Sequence, residues 1–206
     1  LDGIFWDVQG TLNTTGFIDI AYGAGKFAVV KNGDTNATEF STDGITWTQA
    51  NMPANSQWNS VVFGNNIWVA VADDSNDGAV SIDGETWTDM TLGSLDGSTV
   101  AGYQKVRYGQ GLFMATAYIS GEAGEGYSYV ATSENGLFWT ANSLPDNGDT
   151  FSGYNAVAFG APQRTGYWVA IQNDAGTHAV RIRTGATTKA RAFVAENKIF
   201  AIRITE

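Results

Sequence analysis

The sequence predicts an all-β fold built from repeated four-stranded units, and three observations predict it. Gly supplies 25 of 206 residues, aromatics 13% and charged residues only 16%, a balance that suits a turn-rich packed protein and excludes a disordered chain. The pattern aromatic-x-x-(Ile/Val)-x-(Tyr/Phe)-Gly occurs four times with the same internal spacing. A second pattern, Asp/Asn-Gly followed by Trp three residues after the Gly, recurs along the chain. No segment shows sustained helical periodicity or heptads, and no apolar run approaches the roughly 18 residues of a membrane-spanning helix.

Each unit is expected to supply four strands in order. The first strand carries Phe17/Ile20/Tyr22/Gly23, Trp58/Val61/Phe63/Gly64, Tyr103/Val106/Tyr108/Gly109 and Tyr154/Val157/Phe159/Gly160. After each Gly, taken here as a turn position, a second apolar run follows: KFAVV from Lys26, IWVAV from Ile67, LFMAT from Leu112 and YWVAI from Tyr167. The third and fourth strands flank a hairpin turn in FSTDGITWT from Phe40, VSIDGETWT from Val80 and ATSENGLFWT from Ala131. Gly at this turn accepts positive φ, and the hydroxyl and Asp side chains can bond nearby backbone N–H groups. The Trp then lies on the departing strand, where its ring can fill the gap between neighbouring sheets.

Trp6, Trp47, Trp87 and Trp139 occupy this one repeat position, at steps of 41, 40 and 52 residues. Four-stranded units of this length predict a β-propeller, with the Gly- and Glu-rich insertion Ser120 to Gly126 accounting for the longest step. The chain reads as a single propeller domain, 1–206, with units over 9–50, 51–93, 94–144 and 145–189. The N-terminus begins inside a turn, Asp2-Gly3-Ile4-Phe5-Trp6, and ARAFVAENKIFAIRIT from Ala190 reads as the first half of a unit. Residues 190–206 together with 1–8 would then form one more blade. Two arrangements stay open: a five-bladed ring of four full blades plus one shared by the termini, or a fragment of a longer propeller. The start at Leu1, without Met, fits a processed form or an excerpt.

The net charge of −10 opposes a phosphate backbone, so nucleic acid is not an expected partner. The acids are concentrated early: 18 acids and 4 bases run to residue 163, against 3 acids and 7 bases from Arg164 onward. The basic stretch is read as outward-facing strand residues. With no Cys and His178 as the lone His, thiol catalysis, disulfides and a His-based zinc site are not expected. Asp73, Ser75 and Asp77 alternate before Gly78 and are the candidate oxygen ligands for a calcium ion, although Gly84 stands where a bidentate Glu usually completes such a loop.

The Ser-x-Asp-Gly-x-x-Trp segments resemble shortened Asp-box (BNR-type) repeats of the sialidase-like propeller superfamily. That resemblance implies a structural hairpin turn at the blade periphery, so Ser41, Asp43, Gly44 and Trp47 read as fold determinants. Sialidase-type catalysis would require an arginine cluster from successive blades. The arginines are Arg107, Arg164, Arg181, Arg183, Arg191 and Arg203, none in the first two units. No nucleophile elbow or nameable carboxylate pair is present, and the expectation is that the chain is not an enzyme.

The YGxGxFVAV…SxDGxxWT pattern is also similar to repeats in tailed-phage virion and tail proteins and in bacterial surface proteins. The resulting expectation is an extracellular or virion assembly and recognition module. It would be a phage tail, fibre or decoration protein contacting other virion or surface proteins and host-surface glycan, without membrane insertion and within a homo-oligomeric assembly. The alternative is a secreted or cell-surface carbohydrate-binding or glycoside-processing propeller. Trp58, Trp68 and Trp168 are the rings that would have to be exposed to stack on sugars.

Overall fold

The structure is a computed structural model that describes residues 8, 10–33, 35–94, 102–119, 127–143, 153–160, 167–173, 180–184, 193–195 and 198–200. Every described element of regular structure is a β-strand, and neighbouring strands pair antiparallel. The first sheet holds β1 (Phe17–Gly23), β2 (Lys26–Lys31), β3 (Thr35–Ser41) and β4 (Thr48–Ser56), paired in chain order. The second repeats this order with β5 (Trp58–Gly64), β6 (Ile67–Ala72), β7 (Asp77–Ser81) and β8 (Thr88–Thr91). The third does so with β9 (Gly102–Gly109), β10 (Leu112–Ile119), β11 (Tyr127–Ser133) and β12 (Thr140–Ser143). The fourth sheet has β13 (Gly153–Gly160), β14 (Tyr167–Asn173) and β15 (Val180–Thr184), and a last hairpin joins β16 (Phe193–Ala195) to β17 (Lys198–Phe200).

The four-strand meander anticipated for each unit is therefore present in full three times. The first strands β1, β5, β9 and β13 lie side by side in that order, so each sheet presents its first strand to the same interior. The unit boundaries 9–50, 51–93, 94–144 and 145–189 and the terminal blade fall partly on residues outside those described, as do the Ser120 to Gly126 insertion and His178.

Apolar cores form between sheets, as expected of sheets with two covered faces. Ala28, Val30 and Met52 of the first sheet pack with Trp58, Trp68 and Trp87 of the second. Val69, Val71 and Met90 of the second pack with Tyr103, Phe113 and Tyr129 of the third. Met114 and Val130 of the third meet Val157 of the fourth.

The glycines that end the first strands have a different role from the one expected. The turn itself is made by the next two residues, Ala24/Gly25, Asn65/Asn66 and Gln110/Gly111, all with φ between 47° and 79°, the signature of a two-residue hairpin whose twist matches its strands. Gly23, Gly64 and Gly109 instead admit an aromatic ring from the next sheet. A Cβ there would lie 2.0 Å from Phe63 Cγ, 2.1 Å from Tyr108 Cγ and 2.2 Å from Phe159 Cγ, respectively. Aromatic and glycine thus alternate from sheet to sheet as one continuous set of inter-sheet contacts.

The peripheral turns match the expected chemistry. Ser41 Oγ accepts from Gly44 N at 2.9 Å, and Asp43 Oδ1 accepts from Ile45 N and Thr46 N at 2.8 and 2.7 Å. Ser81 and Asp83 repeat the pattern, and Ser133 and Asn135 do so with an amide oxygen in place of a carboxylate. Gly44, Gly84 and Gly136 sit at φ of 74° to 76°. The amides of Ile45 and Thr46 and the Ser41 hydroxyl hold the Asp43 carboxyl down to about 2, and those of Thr86 and Glu85 hold Asp83 to about 2.

Because both carboxyls titrate lower in the fold than in the unfolded chain, their contribution is complete above about pH 4 and disappears as the pH falls toward 2. Asn135 shows that an amide oxygen can fill the place. The Asp43→Asn/Asp83→Asn protein should therefore lose less stability than the wild type between pH 4 and 2, measured by chemical denaturation across that range. Parallel curves for the two proteins would refute this account of the turns.

Candidate functional site

The first strands share a second repeated feature, a one-residue bulge. The pairing skips Ile18 in β1, Asn59 in β5, Gln104 in β9 and Asn155 in β13. Each lies five positions before the strand's terminal Gly. A bulge bends the strand and re-aims the side chains beside it, and bulges recur next to active sites. The residues just after it are Asp19, Ser60, Lys105 and Ala156, so the position that follows the kink carries no large apolar residue in any of the four strands.

Three successive sheets meet at this level. Ser60 Oγ donates to Asp19 Oδ2 at 2.6 Å, and Val61 N donates to the same oxygen at 3.2 Å. From β9, Arg107 Nη1 donates to Ser60 Oγ at 3.0 Å and to Asp19 Oδ2 at 3.3 Å, while Val106 N donates to Ser60 Oγ at 3.2 Å. Lys105 Nζ reaches the Asn59 carbonyl at 3.2 Å, and Asn59 Nδ2 donates to the Gln104 carbonyl at 2.9 Å. The Arg107 side chain remains 36% exposed against 15% for Asp19. The cluster is thus preorganised by its own hydrogen bonds yet open to solvent on its cationic side. Such convergent polar groups on rigid strands are what a small polar ligand requires.

The loop singled out for calcium lies beside this cluster, between β6 and β7. Asp73 N donates to the Gln57 carbonyl at 3.0 Å, and Asp74 Oδ1 accepts from Gln57 N at 3.2 Å. Ser75 Oγ accepts from Asp77 N at 3.2 Å, whereas the Asp77 carboxylate turns to Ser56 of the first sheet. The loop is therefore folded on its own backbone and against both neighbours. Burial, reinforced by the charge of Asp74, raises the Asp73 carboxyl above its ordinary value, and Lys105 acts in the opposite direction. Asp73 and the Lys105–Asn59 contact consequently belong to one electrostatic neighbourhood. Among the described residues, no group of three or more His, Cys, Asp or Glu side chains could hold a metal ion.

Sequence reasoning did not single out Asp19, Ser60, Lys105 or Arg107. The signal was available: counting back from the terminal Gly of each first strand aligns the first three at one position and sets Arg107 two residues on. Of the rings that would have to be exposed to stack on sugars, Trp58 and Trp68 are fully buried, and the side chain of Trp168 lies outside the described set.

No family model matches the sequence, and no curated protein sequence does. Solved structures are similar in fold. YCF48 bound to D1 peptide matches at a TM-score of 0.52 and 18% identity over 94% of this chain and 61% of that one. A thermostable family-43 glycoside hydrolase matches at 0.51 and 11% identity over 87% of this chain and 75% of that one. An alpha-L-arabinanase of Penicillium chrysogenum, complexed with arabinobiose, matches at 0.50 and 8% identity over 82% of this chain and 62% of that one. The chain thus spans less than two thirds of the first and third of these proteins.

Neither the phage context nor the Asp-box assignment gains support from these likenesses. The expectation that the chain is not an enzyme is overturned by them, because glycoside hydrolases stand among the proteins of this fold. The missing sialidase-type arginine cluster removes one chemistry the fold can carry and leaves the others. These proteins are β-propellers, and their likeness to this chain places its repeated antiparallel sheets in a propeller-type fold.

Proposed function

We propose that the chain is a secreted or cell-surface propeller that binds or processes carbohydrate, and that its site is the Asp19–Ser60–Arg107 cluster with Lys105 and Asp73 beside it. The observation carrying this reading is the convergence of side chains from three successive first strands within hydrogen-bond distance. Sugar hydroxyls are recognised by fixed donors and acceptors of this kind. A five-unit ring, four full units plus one shared by the termini, is the arrangement proposed to enclose it.

Processing a glycoside requires a carboxyl that holds a proton for the leaving oxygen and a second carboxylate across the bond. Asp73 fits the first role because burial and Asp74 favour its protonated form. Asp19, held by Ser60, Val61 and Arg107, fits the second.

A panel of neutral and acidic oligosaccharides, titrated calorimetrically and followed for cleavage, tests the proposal. The wild type should bind a member of the panel, and Arg107→Ala should weaken that binding at least about tenfold, roughly 1.4 kcal/mol. Asp73→Asn should retain binding and abolish any cleavage. An absence of binding across the panel, or affinity indifferent to Arg107→Ala, would reject the site. The same titration with calcium and with chelator tests whether Asp73, Ser75 and Asp77 act around an ion; identical isotherms would remove calcium from the proposal.

A further inference from the structure

On one face of β1, Ile18, Ile20 and Tyr22 are 43%, 54% and 60% exposed. The equivalent faces of the next three first strands are covered by the preceding sheet. There Phe63 sits over Gly23, Tyr108 over Gly64 and Phe159 over Gly109. Tyr22 is posed for the same contact. Its ring packs against Phe27 at 4.7 Å and 50°, matching Phe63 on Trp68 at 5.0 Å and 59° and Tyr108 on Phe113 at 4.5 Å and 49°. Among the described residues, the first sheet therefore carries an inter-sheet face with no glycine-ended first strand packed against it.

Two separate parts of this chain have the form of the missing sheet. The segment around residues 10–16 lies where a preceding sheet's outer strand would run. A Cβ on Gly10 would be 2.3 Å from the Ile45 carbonyl oxygen, just as Asn51 of β4 bridges Thr86 in the turn of the second sheet. Glu39, 1% exposed, fixes this segment by accepting from Asn13 N and Nδ2 and from Thr14 N and Oγ1 at 2.9 to 3.2 Å. At the other end, β16–β17 has the register of an inner hairpin. Phe193↔Phe200, Val194↔Ile199 and Ala195↔Lys198 reproduce Ala21↔Ala28, Tyr22↔Phe27 and Gly23↔Lys26. One part follows the path of an outer strand, and the other is paired as an inner hairpin.

We propose that the Ile18–Ile20–Tyr22 face of β1 is the docking surface for the chain's own terminal hairpin β16–β17, which brings Ala195 under Tyr22. This rests on the five-unit reading above and adds the surface, its occupant and its weak point. Ala195 stands at the position held by Gly in the three described seams. Its methyl group competes with the Tyr22 ring for the same volume, so this seam packs less tightly than the others.

The chain contains no Cys, which makes cross-linking unambiguous. At the seam of the first and second sheets, a Cβ on Gly23 would lie 2.5 Å from Phe63 Cβ; a disulfide spans about 3.5–4.5 Å, so a pair at the equivalent positions needs a shift of about 1 Å. The Tyr22→Cys/Ala195→Cys protein should oxidise to an intramolecular disulfide, with the monomer mass unchanged on dilution and the linked peptide identified by mass spectrometry. A disulfide-linked dimer would assign the face to a second copy, and persistent free thiols would leave the hairpin undocked; either result overturns the proposal.

Ala195→Gly supplies an independent readout that does not depend on the double variant folding. Gly ordinarily weakens a strand, yet here it should raise the melting temperature by clearing the slot, and a lowered one would count against the docking. Glycan titration of the same proteins separates the two readings, because retained binding without the cross-link leaves the sugar site standing and removes only the seam.

Discussion

Replacing Trp87 with Ala should lower the stability of the protein by about 3–5 kcal/mol, the cost of removing a large ring from a packed core. Trp87 is 7% exposed and belongs to the cluster in which Ala28, Val30 and Met52 of the first sheet meet Trp58 and Trp68 of the second. Residues from two sheets line the space, so neither sheet can collapse into it without moving the other. In a domain of this size the loss should appear as a drop in melting temperature of about 6–20 °C.

Trp87→Phe discriminates packing from polarity. The indole Nε1 of Trp87 is buried without a hydrogen-bond partner, so Phe removes an unsatisfied donor while keeping most of the apolar area, and the cost should be well below that of Ala. Trp139, at the equivalent position, donates its Nε1 to the Gly136 carbonyl at 2.9 Å; its Phe variant gives up that bond. An unchanged melting temperature for Trp87→Ala would refute the role assigned to the ring.

Gly64→Ala should cost about 3 kcal/mol, the upper part of the range for overpacking a filled site. On backbone grounds alone the change would help, because Ala loses less conformational freedom than Gly in a strand. Here the added methyl would lie 2.1 Å from Tyr108 Cγ and 2.7 Å from Tyr108 Cβ. The root of a side chain cannot swing away as its tip can, so the two sheets must part. Shortening the intruding ring should relieve the conflict. Tyr108→Ala, which removes the Cγ and the ring, is expected to destabilise the wild type yet to be tolerated better in the Gly64→Ala protein, a coupling that a double-mutant cycle reads directly. Simple additivity of the two changes would show that the glycine serves something other than this contact.

Much of the fold was legible in the sequence because it is written locally. Ser41, Asp43 and Gly44 form their turn with backbone groups at most three residues away, so the motif predicts the geometry wherever it occurs. The strand order within each sheet follows from short hairpins for the same reason. The glycines closing the first strands read as turns in the sequence because Gly in a β pattern signals either positive φ or a close approach, and spacing alone does not separate the two. The close approach involves residues about 40 to 50 positions away, such as Phe63 for Gly23 and Phe159 for Gly109.

The candidate site was illegible on the same grounds. Asp19, Ser60 and Arg107 carry no motif; what makes them a cluster is that β1, β5 and β9 lie side by side and bend at the same bulge. By itself the sequence determined the strands, the Asp/Asn-Gly turns and the repeat, all set by hydrogen bonds and steric limits within a few residues. Only the tertiary structure decided which glycines receive rings and which polar side chains meet, because those outcomes depend on how separate sheets pack, and packing joins residues that the chain holds far apart.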